Sequence, residues 1–219
     1  MQKILILIFF FFLSVLSAYA DYFPSYVNPL YHYGIGVAAL KGEVPVYELD
    51  DVKSNLAAYV KNDEKGLVIR ERGVNKSFAD EMFLLYKAEG ALAFLSVEED
   101  TDDWYYVCFD QKRKLFGWVR KSENIDFMSW HDFFNVYGRK NGIYIFRNVK
   151  DSDKKLYSAP DKESTVVDDF YFAKHIALWL IGGDWMLVKV TTYDGLTKTG
   201  WMRWRLDDGS IIAFPDFKQ

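Results

Sequence analysis

A repeated tryptophan pattern constrains the fold of this chain more than any other feature. Residues 103–107 read DWYYV and residues 184–188 read DWMLV, so both stretches begin with Asp-Trp and end in valine. A polar turn follows each stretch and leads into a second motif, GWVR at 117–120 and GWMR at 200–203. Because aromatic and β-branched residues dominate these runs and polar turns separate them, the pattern predicts two antiparallel hairpins.

Further strand-like runs precede each predicted hairpin. First strands are predicted at 43–47 and 155–160, and middle strands at 92–95 and 176–180. Gly117 and Gly200 stand directly before the second tryptophan of their hairpins. A residue without Cβ lets a strand bend or lets another backbone come close, as the corner of a small barrel requires.

This order of runs and motifs resembles the bacterial SH3-like domain, present in two copies. The resemblance implies an all-β fold built mainly of two small SH3-like β-barrels. It places the first domain at 21–125, with a long insertion at about 51–90, and the second domain at 151–219. In this family the aromatic grooves imply binding of peptidoglycan peptides or of envelope proteins.

The stretch between the two copies, 126–150, is predicted to be an ordered connector. Phe127, Trp130 and Phe134 recur at helical spacing, which predicts a short helix with one apolar face. Residues 142–146, which read GIYIF, predict an extra strand. A flexible linker would be rich in glycine and serine, so we expect the connector to pack on a barrel and tie the domains together.

The N-terminus has the layout of a signal peptide. Lys3 supplies a positive charge, residues 4–16 form an apolar run, and Ala18 and Ala20 occupy the positions that a signal peptidase reads. The run is shorter than the roughly 20 apolar residues that a membrane-spanning helix needs. We therefore expect residues 1–20 to be removed and the protein to be exported, to the periplasm or beyond, with no stable membrane insertion afterwards.

Charge and cysteine content narrow the partners and the source of stability. The net charge is −4, and removal of Lys3 with the signal peptide makes it −5, which disfavours nucleic acid as a partner. Cys108 is the single cysteine, so no intrachain disulfide can form. It alternates with Trp104 and Tyr106 in a strand-like run, which predicts a small buried hydrophobe rather than a reactive thiol.

The sequence offers no recognisable catalytic or metal-binding motif, and we expect neither an enzyme nor a cofactor. Three histidines, His32, His131 and His175, are scattered singly and lack metal-ligand spacing. Acidic pairs fall at predicted turns, where a solvated charge is the simplest interpretation. Residues 98–103, which read EEDTDD, keep a calcium loop open as a weaker hypothesis, because calcium needs alternating oxygen ligands.

The aromatic side chains are the remaining candidates for function. Some must fill the cores, and the others are predicted to line peptide-binding grooves. The predicted binding residues are Tyr157, Trp179, Trp185, Trp201, Tyr47 and Trp104. The favoured function is a non-catalytic binding module for a cell-wall peptide or an envelope protein. The alternatives are an envelope hydrolase without a recognisable motif and a structural spacer in an envelope assembly.

Overall fold

The computed structural model describes residues 22–25, 27, 33–63, 66–71, 74–76, 83–87 and 92–218. The predicted signal peptide, 1–20, lies outside these residues, as does His32. Most of the regular structure is strand, and all pairings between the described strands are antiparallel. The predicted all-β class is therefore confirmed.

Seventeen strands form the described part of the fold. They are β1 (Gly36–Leu40), β2 (Glu43–Tyr47), β3 (Leu56–Asp63), β4 (Gly66–Glu71), β5 (Val74–Lys76), β6 (Leu85–Lys87), β7 (Leu92–Asp100), β8 (Trp104–Asp110), β9 (Leu115–Arg120), β10 (Ile125–Ser129), β11 (Ile143–Ile145), β12 (Lys155–Tyr157), β13 (Val166–Asp169), β14 (Ala173–Gly182), β15 (Trp185–Thr192), β16 (Thr197–Arg203) and β17 (Ala213–Pro215).

The two segments with the repeated motifs have the same strand order. In the first unit, which comprises β2, β3, β7, β8 and β9, the strands run β7-β8-β9-β2-β3 across the sheet. In the second unit, β12 to β16, they run β14-β15-β16-β12-β13. Both units also have a register irregularity at the same place, between Val46 and Tyr47 and between Leu156 and Tyr157. The repeat in the sequence thus corresponds to a repeat in the strand topology.

Additional strands distinguish the first unit from the second. β1 pairs with β7 and β10, β6 also pairs with β7, and β4 and β5 extend the sheet beyond β3. β3 begins within the segment predicted as an insertion, 51–90, and takes the place that β13 has in the second unit. β14, the counterpart of β7, is the last strand of its sheet among the described residues.

The connector contains a helix that begins later than its spacing predicts. Phe127 lies in β10, where it pairs with Ala38, so the predicted helical face starting at Phe127 is wrong. The side chain of Ser129 accepts a hydrogen bond from the backbone N–H of Asp132, which caps the helix at its true start. The helix continues through Trp130–Phe133 (α), Phe134–Gly138 (π) and Arg139–Asn141 (α). The strand predicted at 142–146 is present as β11, which pairs with β17.

The connector helix packs between the two units. Phe133 meets Phe94 of β7 at 5.1 Å between ring centroids, and Phe134 meets Trp204 at 5.0 Å. Trp130 is buried and its indole N–H donates to the carbonyl of Tyr33 at 2.9 Å. One hydrophobic cluster therefore runs from the first unit through the helix into the second. Within the described ranges, no helix combines the length and apolar character needed to cross a bilayer.

Candidate functional site

A row of five side chains crosses the whole sheet of the second unit. Leu180 pairs with Leu187, Leu187 with Trp201, Trp201 with Tyr157, and Tyr157 with Val166. Directly paired residues of antiparallel strands lie on the same face of a sheet, so these side chains form one continuous line. Leu180 and Val166 are 50% and 47% exposed, and the other three are half-buried. We call these five residues the second row.

The second row lies on the outer face of its sheet. The neighbours of its members along the strands, Leu156, Met186, Val188 and Met202, are fully buried in the core. Because successive side chains of a strand point to opposite faces, burial of these neighbours directs the row toward solvent. The core of the unit thus supports the row from behind and leaves an apolar surface open in front.

Trp185 and Arg203 flank the second row at one end of the sheet. The Trp185 ring meets the Tyr157 ring edge to face, at 5.3 Å between centroids and 85° between planes. Arg203 pairs with Trp185 across the strands and places its guanidinium 5.7 Å from the indole centroid. Its Nη2 donates to Asp207 Oδ1 at 2.8 Å, and its Nε donates to a backbone carbonyl. The cation is therefore held in place beside the aromatic rings.

The first unit has a matching row. Leu56 pairs with Tyr47, Tyr47 with Trp118, Trp118 with Tyr106, and Tyr106 with Glu99. We call these five residues the first row. Each occupies the position of one member of the second row, so Trp118 corresponds to Trp201 and Tyr106 to Leu187.

Ring contacts also recur between the units. Trp104 meets Tyr47 edge to face at 5.6 Å and 90°, as Trp185 meets Tyr157. Trp104 pairs with Arg120, as Trp185 pairs with Arg203. Trp104 is only 9% exposed, however, whereas Trp185 is half-buried. The aromatic surface is therefore more open in the second unit.

The two rows differ in charge at one end. The first row ends in Glu99, whereas the second ends in Leu180. Burial raises the pKa of the Tyr106 hydroxyl, and the carboxylates of Glu99 and Glu98 raise it further. The first row thus presents aromatic rings next to negative charge, and the second row presents a surface that is apolar along its whole length.

The structure brings together most of the binding residues predicted from sequence. Tyr157, Trp185 and Trp201 adjoin one another in the second unit, and Tyr47 and Trp104 do so in the first. Trp179 is separate: it lies in a bulge of β14 between Leu178 and Leu180. It is 47% exposed and makes no ring contact with the described aromatic residues of the row.

Sequence reasoning missed the aliphatic members of the rows. Leu180, Leu187 and Val166 have the character of ordinary strand residues, and only the cross-strand register places them beside the aromatic rings. Trp118 was also missed as a binding residue, although its counterpart Trp201 was predicted. An alignment of the GWVR and GWMR motifs carries the signal that would have found it.

The groups most suited to catalysis are in structural positions. Cys108 is fully buried, and burial raises the pKa of its thiol to about 12, so it remains protonated near neutral pH. His131 Nε2 lies 2.8 Å from the carbonyl oxygen of Gly183, which also accepts a hydrogen bond from the Trp204 indole at 2.9 Å. This ring ties the connector helix to the β14–β15 turn.

The acidic residues do not assemble into a metal centre in the described part of the chain. No group of three or more His, Cys, Asp or Glu side chains there could hold a metal ion. This applies to the carboxylates of residues 98–103 as well. Asp100 instead pairs with Lys121 at 2.6 Å.

Comparison with known proteins adds no family to these observations. No protein-family model matches the chain. The curated proteins include no significant sequence match to it.

Proposed function

We propose that the chain is an exported, non-catalytic binding protein with two SH3-like units, and that its second row holds an extended peptide. The observation that carries the proposal is the unbroken apolar line from Val166 to Leu180 on an outer sheet face. Contiguous exposed apolar surface is characteristic of interaction sites. The resemblance of the repeated motifs to SH3-like domains supports a peptide as the ligand.

The dimensions of the second row suit a short peptide segment. Four steps between adjacent strands, at about 4.8 Å each, give a row of roughly 19 Å. An extended peptide rises about 3.3 Å per residue, so roughly six residues cover the row. Rings that the sheet already holds in place lose little side-chain freedom on binding, which favours affinity. Arg203, beside Trp185 and two residues beyond Trp201 on the central strand, offers a charge-assisted hydrogen bond to a peptide carbonyl or carboxylate alongside the row.

The first row provides a second peptide-binding surface, with a preference for a different kind of side chain. Its terminal carboxylate, Glu99, stands beside Tyr106 and favours a peptide with a lysine or another ammonium group. Because one hydrophobic cluster joins the two units, they hold a fixed spacing. A ligand with two suitable segments gains affinity from binding both rows at once.

The proposed partner is a cell-wall peptide or an envelope protein, in keeping with the predicted signal peptide. Purified peptidoglycan sacculi test the cell-wall version, because a bound protein sediments with them. We expect co-sedimentation of the purified protein, and Leu187→Asp should weaken it about tenfold by placing a charge between Leu180 and Trp201 of the second row. Val136→Asp is the matched control, since Val136 is an exposed apolar residue on the connector helix.

One result would count against the cell-wall peptide as the ligand, and another against the second row as the binding site. Absence of the protein from the sacculus pellet removes it as a ligand and leaves the envelope-protein version, which crosslinking in intact cells tests with the same pair of variants. Equal behaviour of Leu187→Asp and Val136→Asp in both experiments removes the second row as the binding site.

A structural spacer is the second candidate function, and the shared core favours it. Phe133 contacts Phe94 of the first unit and Phe214 beyond the second, so the connector fixes both units together. A spacer requires rigidity and no ligand. It predicts that Leu187→Asp leaves envelope function intact, whereas lengthening the connector with a flexible Gly-Ser insertion abolishes it.

A further inference from the structure

A cleft of about 340 Å³ lies at the N-terminal end of β14, on a different part of the second unit from the second row. Its walls come from β11, from the start of β14 and from the turn between β13 and β14. The side chains with a charged group or an imidazole that line it are Arg147, Lys154, Lys174, His175 and Asp216, and the tyrosines are Tyr144, Tyr171 and Tyr193. Leu180 of the row lies four positions after Ile176 of the cleft in β14, roughly 13 Å along the strand.

The cleft exists because the sheet edge here is built differently from its counterpart. In the first unit β7 continues the sheet by pairing with β1 and β6, whereas β14 has no strand beyond it among the described residues. Gly142, at φ +84°, takes the connector past this edge instead. A Cβ on Gly142 would lie 2.6 Å from Cε1 of His175, so the backbone and the imidazole are in close contact. This packing fixes the position of His175 on the wall.

Positive charge predominates in the cleft of an acidic protein. Arg147, Lys154 and Lys174 line it together with one carboxylate, Asp216, while the whole chain carries −4. Lys154 lies 3.0 Å from Asp151, which partly neutralises it. Lys174 is exposed and forms no ion pair or hydrogen bond with any described residue. Its ammonium is available to a ligand.

Apolar rings complete the walls. Phe170 is buried beneath the cleft, and Tyr171 and Tyr193 stand at its rim, where they are 42% and 77% exposed. Ligand pockets typically combine such apolar walls with a few convergent polar groups. The combination suits a small molecule with one anionic group and a flat or apolar body.

We propose that this cleft binds a small ligand through an oxyanion, a carboxylate or a phosphate, with Lys174 and Arg147 as the cationic contacts and Tyr193 against its apolar part. The site is independent of the second row and does not require the peptide-binding function. It gives the second unit a second ligand surface at its junction with the connector.

Amide chemical shifts of the purified protein test the proposal. Sodium phosphate and sodium acetate are titrated separately at constant ionic strength against sodium chloride. We expect saturable shifts centred on the amides of Lys174, His175 and Tyr193 with at least one of the two anions. Saturation with phosphate alone assigns a phosphate ligand, and saturation with acetate alone assigns a carboxylate ligand.

Charge-reversal variants inside and outside the cleft test whether the anion binds at Lys174. Lys174→Glu should weaken it at least tenfold, and Lys174→Gln should weaken it less, because the first adds repulsion and the second only removes attraction. Lys189→Glu makes the same charge change at an exposed residue of β15 and should leave binding unchanged. Leu187→Asp, in the second row, should also leave it unchanged, which separates this test from that of the proposed function. The proposal fails if neither anion shifts these amides beyond chloride, or if Lys189→Glu weakens binding as much as Lys174→Glu.

Discussion

Gly200 and Leu156 lie so close together that a Cβ on Gly200 would be 2.8 Å from the Cβ of Leu156. The same atom would be 3.2 Å from the carbonyl oxygen of Tyr157. Gly117 has the equivalent position in the first unit, where a Cβ would be 2.8 Å from the carbonyl oxygen of Tyr47. The glycine before each second tryptophan therefore allows the first strand of the unit to pair with the last.

Gly200→Ala should destabilise the protein by about 1–3 kcal/mol, because the added methyl group overpacks the contact with Leu156. Chemical denaturation measures the change in the free energy of unfolding. Gly182→Ala is the matched control: nothing lies within 4 Å of its Cβ position, so we expect a change within about 0.5 kcal/mol. Equal effects of the two substitutions would contradict the close approach.

The strands that carry the tryptophan motifs could be predicted from sequence because aromatic and β-branched residues identify strands without knowledge of their partners. β13 could not be predicted in this way. Val166 and Val167 are followed directly by Asp168, and the exposed valines show no alternation with buried residues. Its place in the sheet follows from pairing with β12, a relationship that spans a long loop.

The aromatic members of the second row could be predicted from sequence, but the aliphatic residues that make the row continuous could not. Trp185 and Trp201 follow from the motifs, whereas Leu180 enters the second row only because β14 has a bulge between Leu178 and Leu180. An inserted residue changes which side chains share a face, and no residue type in this stretch marks the insertion. At Phe127 the spacing predicted a helix where the structure has a strand. Phe127 lies in β10, and only Trp130 and Phe134 of the three spaced apolar residues are helical.

Phe133→Ala should destabilise both units together. Phe133 is fully buried and contacts Phe94 on one side and Phe214 on the other, so its loss leaves a cavity in the shared core. We expect a loss of about 3–5 kcal/mol and a single unfolding transition shifted to lower denaturant. Val136→Ala, an exposed position on the same helix, should change stability by less than about 0.5 kcal/mol. Separate transitions for the two units would refute the shared core.

The contribution of Asp168 to stability should depend on pH, and Lys198 should determine the pH range in which it is lost. The Lys198 ammonium lies 2.7 Å from Asp168 Oδ1 and is the main cause that lowers the pKa of this carboxyl, helped by the backbone N–H of Asp169. A lowered pKa in the folded state adds stability above the pKa of the unfolded chain, and that stability is lost as the pH falls through the acidic range.

Lys198→Met should therefore raise the pKa of Asp168 and make the acid-induced loss of stability shallower. Carbon-detected NMR titration of the Asp168 carboxyl measures the first effect, and denaturation at a series of pH values below 5 measures the second. Lys189→Met removes a lysine that has no contact with Asp168 and should leave both curves unchanged. An unchanged pKa of Asp168 in Lys198→Met would show that the backbone contact alone lowers it.

Cys108 should make the protein less stable in alkali. Burial, the largest cause, raises the pKa of its thiol from an ordinary value of 9.0 to about 12, and the nearby carboxylates of Glu98 and Asp110 add to the increase. Between these two pH values the unfolded chain loses the thiol proton and the folded chain retains it, so rising pH favours unfolding. For a single proton the slope approaches about 1.4 kcal/mol per pH unit.

Cys108→Ala should flatten this alkaline slope between pH 9 and about 12, where the unfolded thiol is ionised and the folded thiol is not. Burial also raises the pKa values of Tyr105, Tyr106 and Tyr137, but these groups contribute to both proteins and cancel in the difference. Iodoacetamide labelling provides an independent check, because the folded protein should stay unmodified at pH 8.5 while the denatured protein reacts. Rapid labelling of the folded protein would mean that solvent and reagents reach the Cys108 thiol. Identical alkaline slopes for the wild-type protein and Cys108→Ala would mean the same.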